Sequence, residues 1–188
     1  MAKGTRDLIL RDRLQFNVDA NADTALVYGR IDMSDFVNVV KREGFAVKEI
    51  RYQFRNPNVT TGVLSPFLIV SPFTGGYLKT FATTTAYENA ADVGIASPDV
   101  ISVLEMTSVG TRDAAGDLQT LQNQWTHFGT PDLHPDGYNV VSDLLIGVAA
   151  ENINFADLTL EIDIMVIGEP VKLNEADMTE MLTQSQDL

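Results

Sequence analysis

Two histidines are the residues best suited to metal chemistry in this sequence. His134 lies in the segment PDLHPD, where Asp132 and Asp136 flank it, and His127 precedes that segment. Metal-dependent enzymes of the cupin type bring two or three His and a carboxylate together on facing strands. The sequence offers no second cluster of this kind, so a solvated loop is the favoured interpretation. We therefore predict no metal site and no cofactor, and a cupin-like enzyme using His127 and His134 ranks last among the functional hypotheses.

Other catalytic signatures are missing from the sequence as well. The chain has no cysteine, which removes disulfides, thiolate metal sites and cysteine nucleophiles. It also has no G-x-S-x-G elbow, and its glycines form neither a P-loop nor a dinucleotide fingerprint. A Ser-His-Asp triad built from distant residues stays open, because its members need not be close in sequence. We predict no catalytic residue and a protein that is not an enzyme.

Aromatic side chains near His127 suggest a binding surface instead. Trp125 and Phe128 flank this histidine and lead into a loop, residues 129–137, that contains His134. Exposed aromatic rings can stack on a ligand, although such rings more often bury their area in a core. The alternative function is therefore a carbohydrate- or receptor-binding β-sandwich, such as a phage decoration or fibre domain, with Trp125, Phe128 and His134 as its ligand-binding residues.

The charge of the chain is strongly negative and unevenly distributed. The net charge is −13, yet residues 1–55 hold ten of the thirteen Lys and Arg against eight of the 26 Asp and Glu. An acidic body repels phosphate, so we predict no strong nucleic-acid binding. Lys48, Arg51 and Arg55 belong to the basic third and could pair with the acidic body of a neighbouring copy, which would make association sensitive to salt.

The longest alternation of apolar and polar residues indicates the principal strand. Within Ala156–Lys172, apolar residues recur at every second position from Leu158 to Val166, which gives a strand one apolar face. Pro170 is expected to end the strand, because proline cannot donate a ladder hydrogen bond. The expected partner is Asn139–Ala150, joined to it as a closing hairpin.

The first third of the chain predicts strand, short helix, strand. Thr24–Ile31 and Phe45–Arg55 have strand composition and alternation. Between them, Ser34 is a candidate N-cap for a helix through Arg42, which Gly44 would stop. A helix this short cannot cover a parallel sheet, which argues against a doubly wound fold.

These elements predict an all-β fold: a jelly-roll-type antiparallel β-sandwich with one short early helix and a C-terminal helix. We assign residues 1–13 to an N-terminal arm or edge strand, 14–173 to the β-sandwich and 174–188 to a C-terminal helical tail. In the tail, Asn174 is a candidate N-cap. The residues Met178, Met181 and Leu182 form an apolar stripe that would pack on the chain itself or on a neighbour.

The layout resembles the single-jelly-roll coat protein of a non-enveloped icosahedral virus. The resemblance rests on the strand Thr24–Ile31, the helix Ser34–Arg42, the strand Phe45–Arg55, and the closing hairpin from Val140–Ala149 to Leu158–Ile167. Coats of RNA viruses often carry a strongly basic arm, whereas residues 1–13 of this chain have a net charge of only +2. Within the resemblance, an acidic coat fits membrane-containing DNA viruses better.

The resemblance implies a structural virion protein: a capsid subunit that self-assembles through contacts between jelly-roll flanks. Its expected partners are further copies of itself in a capsomer, other capsid proteins and an internal lipid membrane. The residues assigned to the interfaces are Lys48, Arg51, Arg55, Met178, Met181 and Leu182. The start of the chain has no apolar stretch of signal-peptide length, so synthesis in the host cytoplasm and residence in the virion are expected.

Overall fold

The fold was analysed in a computed structural model, which describes residues 7–64, 72–129 and 137–184. The chain is mostly β, with 57% of its residues in strands, two antiparallel sheets and one short C-terminal helix. The strands are β1 (Leu8–Asn17), β2 (Thr24–Ile31), β3 (Glu43–Arg55), β4 (Gly75–Thr83), β5 (Val100–Arg112), β6 (Leu118–Phe128), β7 (Tyr138–Val140), β8 (Leu144–Glu151) and β9 (Thr159–Lys172). A short 3-10 turn covers Ala90–Asp92, and helix α1 spans Glu175–Gln184.

The nine strands form two sheets that face each other as a sandwich. Sheet A has four strands in the order β1-β9-β3-β7, and sheet B has five in the order β2-β8-β4-β5-β6. Inward-facing residues alternate with outward-facing ones along each strand, as sandwich cores require. In β9, for example, Leu160, Ile162, Ile164 and Val166 are all buried, which confirms the alternation read from the sequence.

Several predicted elements are confirmed by the structure. Thr24–Ile31 is β2, Phe45–Arg55 lies within β3, and Leu158–Val166 has its apolar face in the core. The C-terminal helix is present, and Asn174 caps it, because its Oδ1 accepts a hydrogen bond from the amide of Asp177 at 2.9 Å. Of the predicted N-terminal arm, residues 8–13 belong to β1, which is an edge strand of sheet A.

The predicted early helix, Ser34–Arg42, is wrong. This segment is a series of turns in which the amides of Phe36 and Val37 both donate to the carbonyl of Met33, and Asn38 bridges to Glu43. The buried side chain of Met33 fixes the start of these turns in the core. A positive φ of 56° at Arg42 then directs the chain into β3. A two-turn helix is marginal by itself, so tertiary contacts decide the conformation here.

The predicted closing hairpin is also wrong. Residues 139–150 form two strands rather than one, and β8 pairs with β2 and β4, whereas β9 pairs with β1 and β3 in the other sheet. The connection between them crosses the sandwich, with Ile153 and Phe155 buried in the core and positive φ values at Asn152 and Asp157. Burial of these two apolar side chains explains why the connection is not a hairpin, because the chain must pass through the interior to bury them.

Pro170 does not end β9, which continues to Lys172. The described pairing of β1 with β9 stops at Leu8 opposite Gly168, whereas β3 accompanies β9 to Lys172. Pro170 therefore lies where β9 has one strand neighbour among the described residues. A missing amide hydrogen is tolerated at such an edge.

A second, smaller core lies on the outer face of sheet B. Phe81 and Val103 point outward from this sheet and are covered by Val93 from the segment between β4 and β5. The Lys79 ammonium donates to the carbonyl oxygens of Ala90 and Val93, which fastens the same segment to the sheet. The Tyr28 hydroxyl adds a third attachment through two hydrogen bonds to the backbone of Tyr87.

Candidate assembly surfaces

The outer face of sheet A gathers four of the ten basic side chains of residues 1–55. The strand register aligns Arg13 of β1 with Asp163 of β9, and Arg55 of β3 with Glu161 of β9. We call this surface the Arg face, and it comprises Arg11, Arg13, Gln15, Glu49, Arg51, Gln53, Arg55, Glu161, Asp163 and Met165. Its formal charge is +1 in a chain of net charge −13.

A buried carboxylate organises one end of the Arg face. The Glu161 side chain is only 8% exposed, and its Oε2 lies 3.4 Å from Arg55 Nη1 and 3.7 Å from Arg13 Nη1. Gln15 Nε2 also donates to Oε1 at 3.0 Å. A buried charge is tolerated when it is paired and hydrogen-bonded. This arrangement therefore holds β1, β9 and β3 together through side chains as well as through the backbone ladder.

The other end of the Arg face is open to solvent. It contains a concavity of about 700 Å³ that is lined by Arg11, Arg13, Arg51, Asp163 and Met165 among others. Arg13 pairs with Asp163 at 2.6 Å and Arg51 pairs with Glu49, whereas Arg11 has no carboxylate partner within the described part of the chain. Guanidinium groups bind carboxylates in a forked geometry. The concavity can therefore accept an acidic side chain or an anionic group.

The residues assigned to interfaces from sequence occupy different environments. Lys48 forms the bulge of β3, and its ammonium binds Asp7 at 2.7 Å and Glu169 at 3.1 Å within the same chain. Arg51 and Arg55 both lie on the Arg face, where they also have partners in their own chain. Their charges are thus engaged internally, although Arg51 remains largely exposed.

The C-terminal helix contributes its apolar stripe mainly to its own chain. Met178 is 4% exposed and is therefore part of the interior. Met181 and Leu182 are half-buried, and Met181 lines a small cavity of about 230 Å³ beside Tyr138 and Val141. An ion pair of 2.9 Å between Arg42 and Glu175 ties the first turn of the helix to the body.

The aromatic residues predicted to bind a ligand do not share one face. Trp125 lies directly opposite Met106 of β5 and is 59% exposed. Phe128 is on the opposite face of the strand and packs against the second core. His127 shares the face of Trp125, and its ring meets that of Tyr52 edge-on at 5.8 Å. Burial lowers the pKa of His127 below its ordinary value of 6.5. His134, the third predicted ligand-binding residue, lies outside the described residues.

Sequence reasoning missed two features of these surfaces. The first is the cluster of Arg11, Arg13, Glu161 and Asp163. Arg11 and Arg13 are two residues apart, as are Glu161 and Asp163, so the sequence already placed each pair on one face of its strand. That the two pairs lie side by side could be known only from the register of β1 against β9. The second is the lack of charge along β6, whose eleven residues contain no Asp, Glu, Lys or Arg.

Two comparisons with known proteins were negative. No protein-family model matches the chain, and no curated protein matches it. Among residues 7–64, 72–129 and 137–184, no three His, Asp or Glu side chains gather closely enough to hold a metal ion. Within the same described ranges, no helix is long and apolar enough to cross a membrane.

Proposed function

We propose that the chain is a capsid subunit, a structural virion protein that self-assembles through contacts between the flanks of a jelly roll. The observation that carries this proposal is the pairing of the strands. β1 pairs with β9, β2 with β8, β3 with β7, and β4 with β5, and successive pairs alternate between sheets A and B. An antiparallel ribbon folded in half and rolled up would give an order of this kind, so the pairing supports the assignment of a jelly roll, an architecture found in viral capsid domains. In this assignment β6 is an additional strand.

The charge distribution supports association between copies. Residues 56–188 hold eighteen Asp and Glu against three Lys and Arg, whereas the Arg face has a formal charge of +1. The Arg face of one copy therefore complements the acidic surface of the next. Charge pairs of this kind at an exposed interface guide association and weaken as salt rises. Other capsid proteins and the surface of an internal lipid membrane are further partners in this proposal.

Charge reversal on the Arg face tests the proposed contact. Arg11 is exposed and lines the concavity, so Arg11→Glu should weaken association and make it less dependent on salt. Lys41→Glu is the matched control, because it changes the net charge equally at an exposed turn away from the Arg face. Sedimentation velocity at low and high salt measures both variants. An equal effect of the two substitutions on association would show that the Arg face is not a contact surface.

The exposure of Trp125 favours one alternative, a carbohydrate- or receptor-binding β-sandwich of the phage decoration or fibre type. An indole ring that is 59% exposed can stack on a sugar. A glycan screen with the wild-type chain and the Trp125→Ala variant tests this alternative. Binding that disappears in the variant would support it, whereas binding that persists would exclude Trp125 as the site.

A further inference from the structure

Strand β6 is a long sheet edge without the usual protection. It has eleven residues and forms one side of sheet B, where it pairs with β5 and with no other described strand. Natural sheet edges are kept from pairing with other chains by charged residues, prolines, short strands or bulges. β6 contains no charged residue and no proline, and its register with β5 is irregular only near its start, beside Arg112. Within residues 7–64, 72–129 and 137–184, no strand pairs with its outer row of backbone groups, which could pair with a further strand.

The absence of charge on β6 matters because the chain as a whole is acidic. Among the described strands, only β6 and the three-residue β7 lack Asp, Glu, Lys and Arg. Two copies that each carry a net charge of −13 repel one another unless they meet at a surface of different character. His127 is the single titratable residue of the strand, and burial lowers its pKa, so it stays neutral near pH 7. β6 thus offers a second copy a neutral line of approach.

The order of residues in β6 is nearly the same, by type, in both directions. Asn123 is the centre of the strand Leu118–Phe128, and residues at equal distances on either side of it match in character. When two copies of β6 lie antiparallel about Asn123, every residue of the strand faces a residue of similar type. The pairs are Leu118 with Phe128, Gln119 with His127, Thr120 with Thr126, Leu121 with Trp125, and Gln122 with Gln124.

We propose that β6 is a self-association edge, through which two copies of this chain join their five-stranded sheets into one antiparallel sheet about a two-fold axis at Asn123. Such a contact is isologous, so each favourable pair occurs twice. Trp125, which is 59% exposed in the single chain, is covered by Leu121 of the second copy. Aromatic and apolar residues that face each other across antiparallel strands stabilise the pairing. This inference rests on the proposed function, since it supplies one contact of the proposed assembly.

Cysteine cross-linking tests the register directly, because the natural chain contains no cysteine. Facing residues of an antiparallel pair have Cα atoms about 4.5–5.5 Å apart, which lies within the range that a disulfide spans. The variants Thr120→Cys and Thr126→Cys should each stay uncross-linked under mild oxidation, because identical positions are six residues out of register, about 20 Å apart. An equimolar mixture of the two variants should form the mixed disulfide dimer. Cross-linking of each variant alone to the same extent as the mixture would overturn the proposed register.

Paired charges at Gln122 and Gln124 test the contact without a covalent bond. Both side chains are exposed, and each faces the other across the proposed axis. Gln122→Lys/Gln124→Lys places like charges opposite one another and should raise the dimer dissociation constant about tenfold or more. Gln122→Glu/Gln124→Lys places opposite charges in the same positions and should restore the dimer. Equal dissociation constants for the two variants, measured by sedimentation equilibrium, would overturn the proposal.

Electron microscopy of the same variants separates this inference from the proposed function. Wild-type particles together with a negative cross-linking result would leave the capsid proposal standing and exclude the β6 contact. The mixed disulfide dimer in a chain that never assembles beyond dimers would support the β6 contact and count against a capsid subunit.

Discussion

The carboxylate of Glu161 on β9 lies 3.4 Å from the guanidinium of Arg55 on β3, on the outer face of sheet A. Most outward-facing residues of a sandwich are solvated, but this carboxylate is nearly enclosed. The loop after β3 closes beside it, since Asn58 Nδ2 donates to the carbonyl of Thr159 at 3.0 Å. The Arg face is therefore part of the stabilising structure of the fold as well as a candidate contact surface.

Removal of the Arg55 charge should destabilise the fold. Arg55→Met keeps much of the side-chain volume but leaves the buried Glu161 with Arg13 and Gln15 as its polar neighbours. We expect the free energy of unfolding to fall by about 1–3 kcal/mol. Arg51→Met is the control, because its ion pair with Glu49 is exposed and should contribute at most about 1 kcal/mol. Urea denaturation measures both, and an equal loss in the two variants would contradict the structural role of Glu161.

A hydrogen bond between the two sheets should also contribute to stability. The Tyr52 hydroxyl of β3 lies 2.5 Å from Ser102 Oγ of β5, and Ser102 is buried. Tyr52→Phe leaves the buried Ser102 hydroxyl without its partner. We therefore expect the free energy of unfolding, measured by heat or denaturant, to fall by about 1–3 kcal/mol. The same variant with Ser102→Ala should lose less than the sum of the two single changes. Strict additivity would show that the two hydroxyls do not interact.

Acid should destabilise the protein in part through His127. Burial lowers the pKa of His127 in the folded chain, so the unfolded chain binds a proton more readily. The stability from this residue is complete above the unfolded pKa of about 6.5 and is lost as the pH falls through the lower folded value. His127→Gln should therefore flatten the dependence of the unfolding free energy on pH below about 6.5. An unchanged acid limb in the variant would contradict the partial desolvation of this imidazole beside Tyr52.

Gly168 should tolerate no side chain. A Cβ atom there would collide with the carbonyl oxygen of Ala46 and with the ring of Phe45, beside the bulge of β3. We expect Gly168→Ala to lower the free energy of unfolding by about 1–3 kcal/mol through overpacking. Gly94→Ala is the matched control, since a Cβ there meets nothing within 4 Å. A similar melting temperature for both variants would show that β3 and β9 are less closely packed than described.

The sequence predicted those elements whose pattern is local. The alternation of apolar residues located β9, and composition and alternation located β2 with its observed bounds, because period two directly places side chains on one face. Helix α1 was also predictable from a local signal, because the side chain of Asn174 caps its first turn.

The elements that the sequence mispredicted depend on distant contacts. Residues 34–42 have helical spacing, yet burial of Met33 and the bridge from Asn38 to Glu43 select turns instead. The connection from β8 to β9 is a crossing rather than a hairpin, because Ile153 and Phe155 enter the core. Tertiary packing overrides weak local preference in such segments.

The candidate surfaces were predictable only in part. Arg51 and Arg55 were identified from charge, but their neighbours Arg13 and Glu161 come from strands far apart in sequence, and their proximity depends on register. Trp125 and Phe128 are close in sequence and were grouped together, yet an odd spacing along a strand places them on opposite faces. The near-symmetric sequence of β6 has meaning only because the fold leaves this strand at an edge.

The central claim, a self-assembling capsid subunit, is tested most directly by negative-stain microscopy of the purified chain, with light scattering at low and high salt. We predict rings, capsomers or shells at low salt and a shift toward smaller species at high salt, because the Arg face meets an acidic surface. A monomer that persists at high protein concentration in both salts would contradict the claim.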